Sequence, residues 1–293
     1  MRSMPAIFAS ALICVAIGAA PASTVATERT APAGDEMLHL SFGVYQSDKA
    51  TVMYRKFIPV LDALSEKFEA AATRKVDIQL RIYKTYDEAI DALTAGQIDF
   101  VRFGPASYIT AKSRNADVKL IAMEQENGQK RFKGVIVVPA KSTVHAIADL
   151  KGKSFAFGDP NSTIGRYLVQ AVLVDNGIHA GDLKSFKYLD RHDKVAKAVE
   201  IGDFDAGSIK TETLKTMPEG SLRVLAEFDN VTKPWAARAG LDRAVFVALQ
   251  KSLLELDKED ALKELGVSGF TATSDDEYEM VRTGMAKAEA FEK

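Results

Sequence analysis

Tyr45, Tyr86, Ser107, Ser162, Thr163, His192 and Glu212 are the side chains through which this chain could do chemistry. They make no nucleophile–base pair, and four histidines without metal-like pairing make no zinc case. What they share is position, because each falls just after a stretch that reads as a strand, on a loop or at a helix start. Ser162 and Thr163 are the centre of the set. Ser154-Phe155-Ala156-Phe157 alternates like a short buried strand, Gly158-Asp159-Pro160-Asn161 carries turn chemistry, and an apolar helical pattern begins at Gly165. The first amides of a helix lack intrahelical partners and the helix dipole adds partial positive charge, so two hydroxyls there can join the amides around an anion. The same residue types also simply cap helices, and the residues alone leave capping and anion binding open. The set is rich in hydroxyls and is expected to be nearly free of Lys and Arg. It would hold an oxyanion with neutral donors and bury no cation.

Strands and helices in alternation are needed to hold these positions. Leu38, Leu40, Phe42 and Val44 alternate as a first strand. Val52, Phe57, Val60, Leu61, Leu64 and Phe68 have helical spacing, with Pro59 expected to open a second segment or kink the first. Residues 76–82 read as a strand, and Thr85-x-x-Glu88 as the capping box of a helix ending near Gly96. Strands at 98–103, 119–123 and 135–138 follow, the last two separated by a polar loop over 125–133. A second block repeats the alternation: a short helix near 146–150, the strand and helix around Ser162, a strand at 186–189 and a helix from Arg191 to about Glu200. Then come a strand at 205–209, a helix opening at Thr211 and a strand at 222–228. Residues 232–235 read as a crossing segment, and the tail as helices at 245–256, 260–265 and 274–291, the last behind a Ser274-x-x-Glu277 box. Alternating units of this kind predict two α/β lobes with mixed, mostly parallel sheets, which bind ligands at the carboxyl ends of their strands.

The 293 residues are 47% hydrophobic and 27% charged with a formal net charge of −2, a globular composition with no basic surplus to argue for nucleic acid. Met1-Arg2, an apolar run over 6–20 and Ala20-Pro21-Ala22 read as a secretory signal peptide over 1–22, followed by a flexible leader over 23–37. The run is shorter than the ~20 apolar residues of a spanning helix, and bulky Ile13 before Cys14 argues against a lipoprotein. Cys14 is the only cysteine, so an exported mature chain has no disulfide, Cys-zinc site or thiol nucleophile. A monomer without metal or cofactor is expected.

Three blocks are together similar to the substrate-binding proteins of phosphonate, phosphite and phosphate ABC importers. They are Phe103-Gly104-Pro105-Ala106-Ser107-Tyr108, then Gly158-Asp159-Pro160-Asn161-Ser162-Thr163-Ile164-Gly165, and His192-Asp193-Lys194 leading to Ala198-Val199 and Gly202-Asp203-Phe204-Asp205-Ala206. They fall in that family's order, and the similarity runs from about Leu38 to the C-terminus. The resemblance implies a class II periplasmic-binding-protein fold whose chain crosses twice between lobes, with 38–133 and 232–293 in one lobe and 134–231 in the other. It implies that Ser162 and Thr163 hold phosphorus oxygens, with Tyr86 and His192 as further donors and Ser107 nearby. It also implies a periplasmic protein that is not an enzyme, a small oxyanion ligand and an ABC permease as partner. A ligand-sensing protein of the same fold feeding a receptor or kinase is the alternative. Glu212 matches one of two carboxylates with which aminophosphonate binders take the ligand amine, but Lys233 stands where the other would be. Arg166 replaces an often aromatic residue, and Phe132 stands where a tyrosine hydroxyl could contact ligand. These departures imply a smaller or purely anionic ligand.

Overall fold

The computed structural model describes residues 37–293. The signal peptide expected over 1–22 lies outside the described residues, as does the leader apart from Met37. The chain runs through β1 (Leu38–Tyr45), α1 (Ala50–Ala72), β2 (Val76–Tyr83), α2 (Tyr86–Thr94), β3 (Phe100–Arg102), α3 (Pro105–Arg114) and β4 (Lys119–Gln125). It continues into β5 (Arg131–Pro139), β6 (Ser154–Phe157), a π-helical turn (Thr163–Leu168) that runs into α4 (Val169–Asp175), β7 (Ser185–Tyr188) and α5 (His192–Glu200). Next are β8 (Ala206–Lys210), α6 (Thr211–Lys215) and β9 (Leu222–Val231), followed by β10 (Pro234–Ala237), α7 (Arg243–Leu254), α8 (Glu259–Leu265), β11 (Gly269–Thr271) and α9 (Glu279–Ala288).

Two mixed sheets result. The first has the order β11-β4-β10-β3-β1-β2, in which β1 to β4 run one way and β10 and β11 the other. The second has the order β7-β6-β8-β5-β9, in which β5 alone runs against the rest. The chain crosses between them after β4 and again after β9.

Apolar periodicity explains why these segments settle where they do. Met53, Phe57, Val60, Leu61, Leu64 and Phe68 put one face of α1 on the first sheet, against Phe42, Phe100 and Trp235. Each such side chain contributes about 1.5–3 kcal/mol by leaving water. That packing carries α1 as one helix through Pro59, so no second segment opens there. The α2 box forms as expected, with Glu88 N donating to Thr85 Oγ1 at 3.1 Å and Thr85 N donating to Glu88 Oε2 at 3.2 Å. The Ser274 box does not form. Ser274 makes no side-chain cap bond, Glu277 is drawn instead to Lys130 at 2.6 Å, and a 3-10 turn precedes α9.

Residues 232–235 are more than a crossing segment, because β10 lies between β3 and β4 with every residue buried. The polar loop expected over 125–133 shrinks to a tight turn, where Asn127 and Gly128 take φ values of 51° and 74° and Glu126 bridges Gln129. At the other end of the chain, Phe291 sets its ring against Phe157 at 5.4 Å and Phe186 at 5.7 Å.

One device occurs in both sheets. Ser41 N and Oγ both donate to Asp99 Oδ2 at 2.8 Å, and Asp99 N donates back to Ser41 Oγ at 3.1 Å. Ser154 N and Oγ both donate to Asp205 Oδ2 at 2.8 Å, and Asp205 N donates back to Ser154 Oγ at 3.0 Å. Each staple ties the first parallel strand of its sheet to the turn that enters a neighbouring strand. Tyr86 and His192, the first residues of α2 and α5, stand at the same spacing before their stapling aspartates.

Candidate functional site

The carboxyl ends of the strands of both sheets meet around a cavity of ≈ 50 Å³. By the measure that one water needs about 10–15 Å³, this holds several waters or one small tetrahedral ion. Tyr86, Ser162, Thr163, His192 and Glu212 all reach its wall. Tyr45 and Ser107 stand behind it. The Tyr45 ring stacks on Tyr86 at 3.5 Å between centroids, and its hydroxyl accepts from Gly104 N at 2.6 Å. Ser107 Oγ is buried without a hydrogen-bond partner among the described residues.

The loop before Ser162 is shaped by two glycines. Gly158 N donates to Gly165 O at 2.8 Å, and a Cβ on Gly165 would lie 2.8 Å from Gly158 Cα. Only with both side chains absent can the end of β6 and the helical turn approach this closely. The turn is wound as a π-helix, with Tyr167 N donating to Ser162 O at 3.1 Å. Its opening amides, Thr163 and Ile164, have no carbonyl behind them inside the turn.

Capping leaves each of the Ser162 and Thr163 hydroxyls with donor capacity to spare. Ser162 Oγ accepts from Gly165 N at 2.9 Å, and Thr163 Oγ1 accepts from Ala106 N at 2.9 Å across the cleft. In each case the amide uses a lone pair and leaves the O–H proton available for an acceptor in the cavity. Further polar links span the cleft: Asn161 Nδ2 donates to Asp87 Oδ2 at 2.9 Å, and Lys210 Nζ to Asp48 Oδ2 at 2.9 Å.

The expectation of a site nearly free of Lys and Arg is overturned. Lys56, Arg102, Lys210 and Lys233 all line the cavity. Arg102 is braced by Glu124 through bonds of 2.7 and 2.9 Å, and Trp235 Nε1 donates to the same carboxylate at 3.0 Å, so a cation held in a bidentate pair replaces an isolated one. Arg102 and Lys210 end strands β3 and β8, so the strand-end rule could have found them. Lys56 on the second turn of α1 and Lys233 on a crossing segment had no such signal.

These charges set the protonation states. Burial, reinforced by Lys210, pushes His192 down to about 4, so a neutral imidazole faces the cavity at neutral pH. Its Nδ1 has no partner among the described residues. Burial opposes ionisation of Glu212, but Lys233, Lys210, Lys56 and Arg102 together hold it down to about 2. Tyr86 is driven well above the ordinary phenol range by burial and by neighbouring Tyr45, so it stays a donor. Among the described residues no group of His, Cys, Asp and Glu could hold a metal ion, and no helix is long and apolar enough to cross a membrane.

A polar, hydroxyl- and cation-lined cavity between two α/β lobes joined by two crossings defines a periplasmic binding protein. Residues 42–278 match the family described as "ABC transporter, phosphonate, periplasmic substrate-binding protein", and the chain belongs to that family. It is 28% identical over 163 residues to the probable ABC transporter phosphite binding protein PhnD1 of Prochlorococcus marinus (strain MIT 9301), covering 52% of this chain and 54% of that protein. It is 27% identical over 143 residues to the phosphate-import protein PhnD of Mycolicibacterium smegmatis, covering 45% and 44%. The matches thus span about half the length of these curated relatives. The crystal structure of PhnD1 from Prochlorococcus marinus in complex with methylphosphonate superposes with a TM-score of 0.73 at 22% identity, covering 86% of this chain and 98% of that one.

Proposed function

We propose that this chain is an exported solute-binding protein that captures a small tetrahedral phosphorus oxyanion, phosphonate, phosphite or phosphate, and hands it to an ABC permease in the inner membrane. The observation that carries the reading is the wall of the cavity, where the Ser162 and Thr163 hydroxyl protons and the amides of the π turn meet Tyr86, neutral His192 and a surplus of cations. Oxyanion oxygens would take the hydroxyls and amides of one lobe and the Tyr86 hydroxyl of the other. Closure is then stabilised because one guest bridges both lobes. The crossings at 126–130 and 232–233, with the tail that carries α9 to the second sheet, form the hinge. Tyr45 and Ser107 support the donors from behind, and Glu212 steadies the lysines. The names of the relatives, a phosphite binder and a phosphate importer, support the ligand class.

Isothermal titration with phosphate, phosphite, methylphosphonate and 2-aminoethylphosphonate tests it. Heat and a slow-dissociating complex with at least one of them is the expected outcome, and absence of heat with all of them overturns the reading.

A further inference from the structure

We propose that Lys233 is the specificity-determining residue of this cavity, admitting tetrahedral oxyanions whose substituent is uncharged or absent and rejecting those that carry an ammonium group. The inference rests on the proposed function and narrows its ligand class.

Lys233 occupies the stretch where the chain passes from β9 to β10, and its carbonyl accepts from Glu124 N at 3.0 Å, so its backbone is pinned to the rim of the first sheet. Its side chain is only 15% exposed. The ammonium lies 4.5 Å over the Phe132 ring and 3.6 Å from Glu126 Oε1. Phe132 sits just beyond the other crossing, so the cation is braced between both connections and remains in the cleft whichever lobe moves. Its charge acts on Glu212 together with those of Lys210, Lys56 and Arg102.

Glu212 is one of the two carboxylates of the cavity wall, and it is already engaged. Lys210 stands 3.7 Å and Lys56 4.0 Å from its oxygens. The other wall carboxylate, Asp48, is bonded to Lys210 at 2.9 Å. An incoming ammonium would therefore find every acidic partner matched to a lysine and would lie against like charge in a site shielded from water. An oxyanion with a hydrogen, hydroxyl or methyl substituent meets no such conflict, and the small cavity suits it.

The test compares dissociation constants for methylphosphonate and 2-aminoethylphosphonate by titration calorimetry, in the full mature protein and in Lys233→Met and Lys233→Glu, with melting curves for each. Methionine keeps the length of the side chain and its contact with Phe132 but removes the charge. The unaltered protein is expected to prefer methylphosphonate by at least about thirtyfold, Lys233→Met to shrink that ratio at least about tenfold, and Lys233→Glu to shrink it further or reverse it. Because the readout is a ratio, a general weakening of the site cancels. Equal binding of the two ligands by the unaltered protein overturns the proposal without any variant, and so does a ratio that Lys233→Met leaves unchanged. Absence of binding by both ligands, and by phosphite and phosphate, removes the proposed function along with it, whereas binding of methylphosphonate without discrimination removes only the role of Lys233.

Discussion

Replacing Thr163 by valine keeps the shape of the side chain and deletes one oxygen that serves two partners. That oxygen accepts from Ala106 N at 2.9 Å across the cleft, and its hydroxyl proton remains free to donate to a ligand in the cavity that Thr163 lines. Loss of a hydrogen bond to a charged ligand is worth about 1.5–3 kcal/mol, and about 2 kcal/mol corresponds to roughly thirtyfold in Kd. The second loss appears without ligand, because the buried Ala106 amide is left unpaired at a cost of about 1–3 kcal/mol. Thr163→Val should therefore bind methylphosphonate about thirtyfold or more weakly in a calorimetric titration and melt several degrees lower. Thr163→Ser, which keeps the oxygen, should stay within about threefold in affinity. A folded Thr163→Val protein that binds within threefold of the unaltered one would refute the placement of the oxyanion against this hydroxyl.

Further tests follow from the same geometry. Gly165→Ala places a methyl group 2.8 Å from Gly158 Cα, so backbone must shift. The expected cost is about 1–3 kcal/mol in urea unfolding, together with weaker ligand binding, and an unchanged midpoint would contradict the close approach described here. The pH dependence of stability separates buried His192 from partly buried Asp159. His192 sits at about 4 against an ordinary 6.5, so its stabilising contribution is present above 6.5 and is lost as pH falls toward 4. Asp159 is raised by burial to about 6 from 3.8, so its contribution is present below 3.8 and is lost as pH rises through 6. In His192→Gln only the second remains, and the variant's stability relative to the unaltered protein should climb as pH is lowered from 6.5 to 4 in urea titrations. A difference that is flat with pH would show that His192 is not held neutral.

Much of this architecture could be read from residue patterns, where the signal was local. The alternation of Leu38, Leu40, Phe42 and Val44 became β1, and Thr85 with Glu88 formed its box because only the neighbouring Lys84 amide shares the Glu88 carboxylate. Ser274 had the same pattern and failed because Lys130, distant in sequence, claimed Glu277. Strand β10 escaped notice because its four residues are all buried and show no alternation, the pattern of a strand covered on both faces. The Asn127-Gly128 pair was a missed local cue, since that dipeptide favours the turn in which both residues take positive φ. The hydroxyls of the site were found through their place after strands. Its cations were not all of that kind, because Lys56 and Lys233 are brought in by a helix face and by a crossing of the chain, and only the folded arrangement sets them beside Glu212.

The paired serine–aspartate staples have a mechanical consequence. Each fastens strands within one sheet and neither reaches across the gap, which is spanned instead by single polar links, from Thr163 to Ala106, from Asn161 to Asp87 and from Lys210 to Asp48. Prising the halves apart should therefore leave each as a stiff plate, with bending concentrated in the two connecting ribbons and in the tail that carries α9 and Phe291 onto the second sheet. Amide exchange would then be slow at Ser41 and Ser154 in the empty and the loaded protein alike, and would change on loading chiefly along the facing rims.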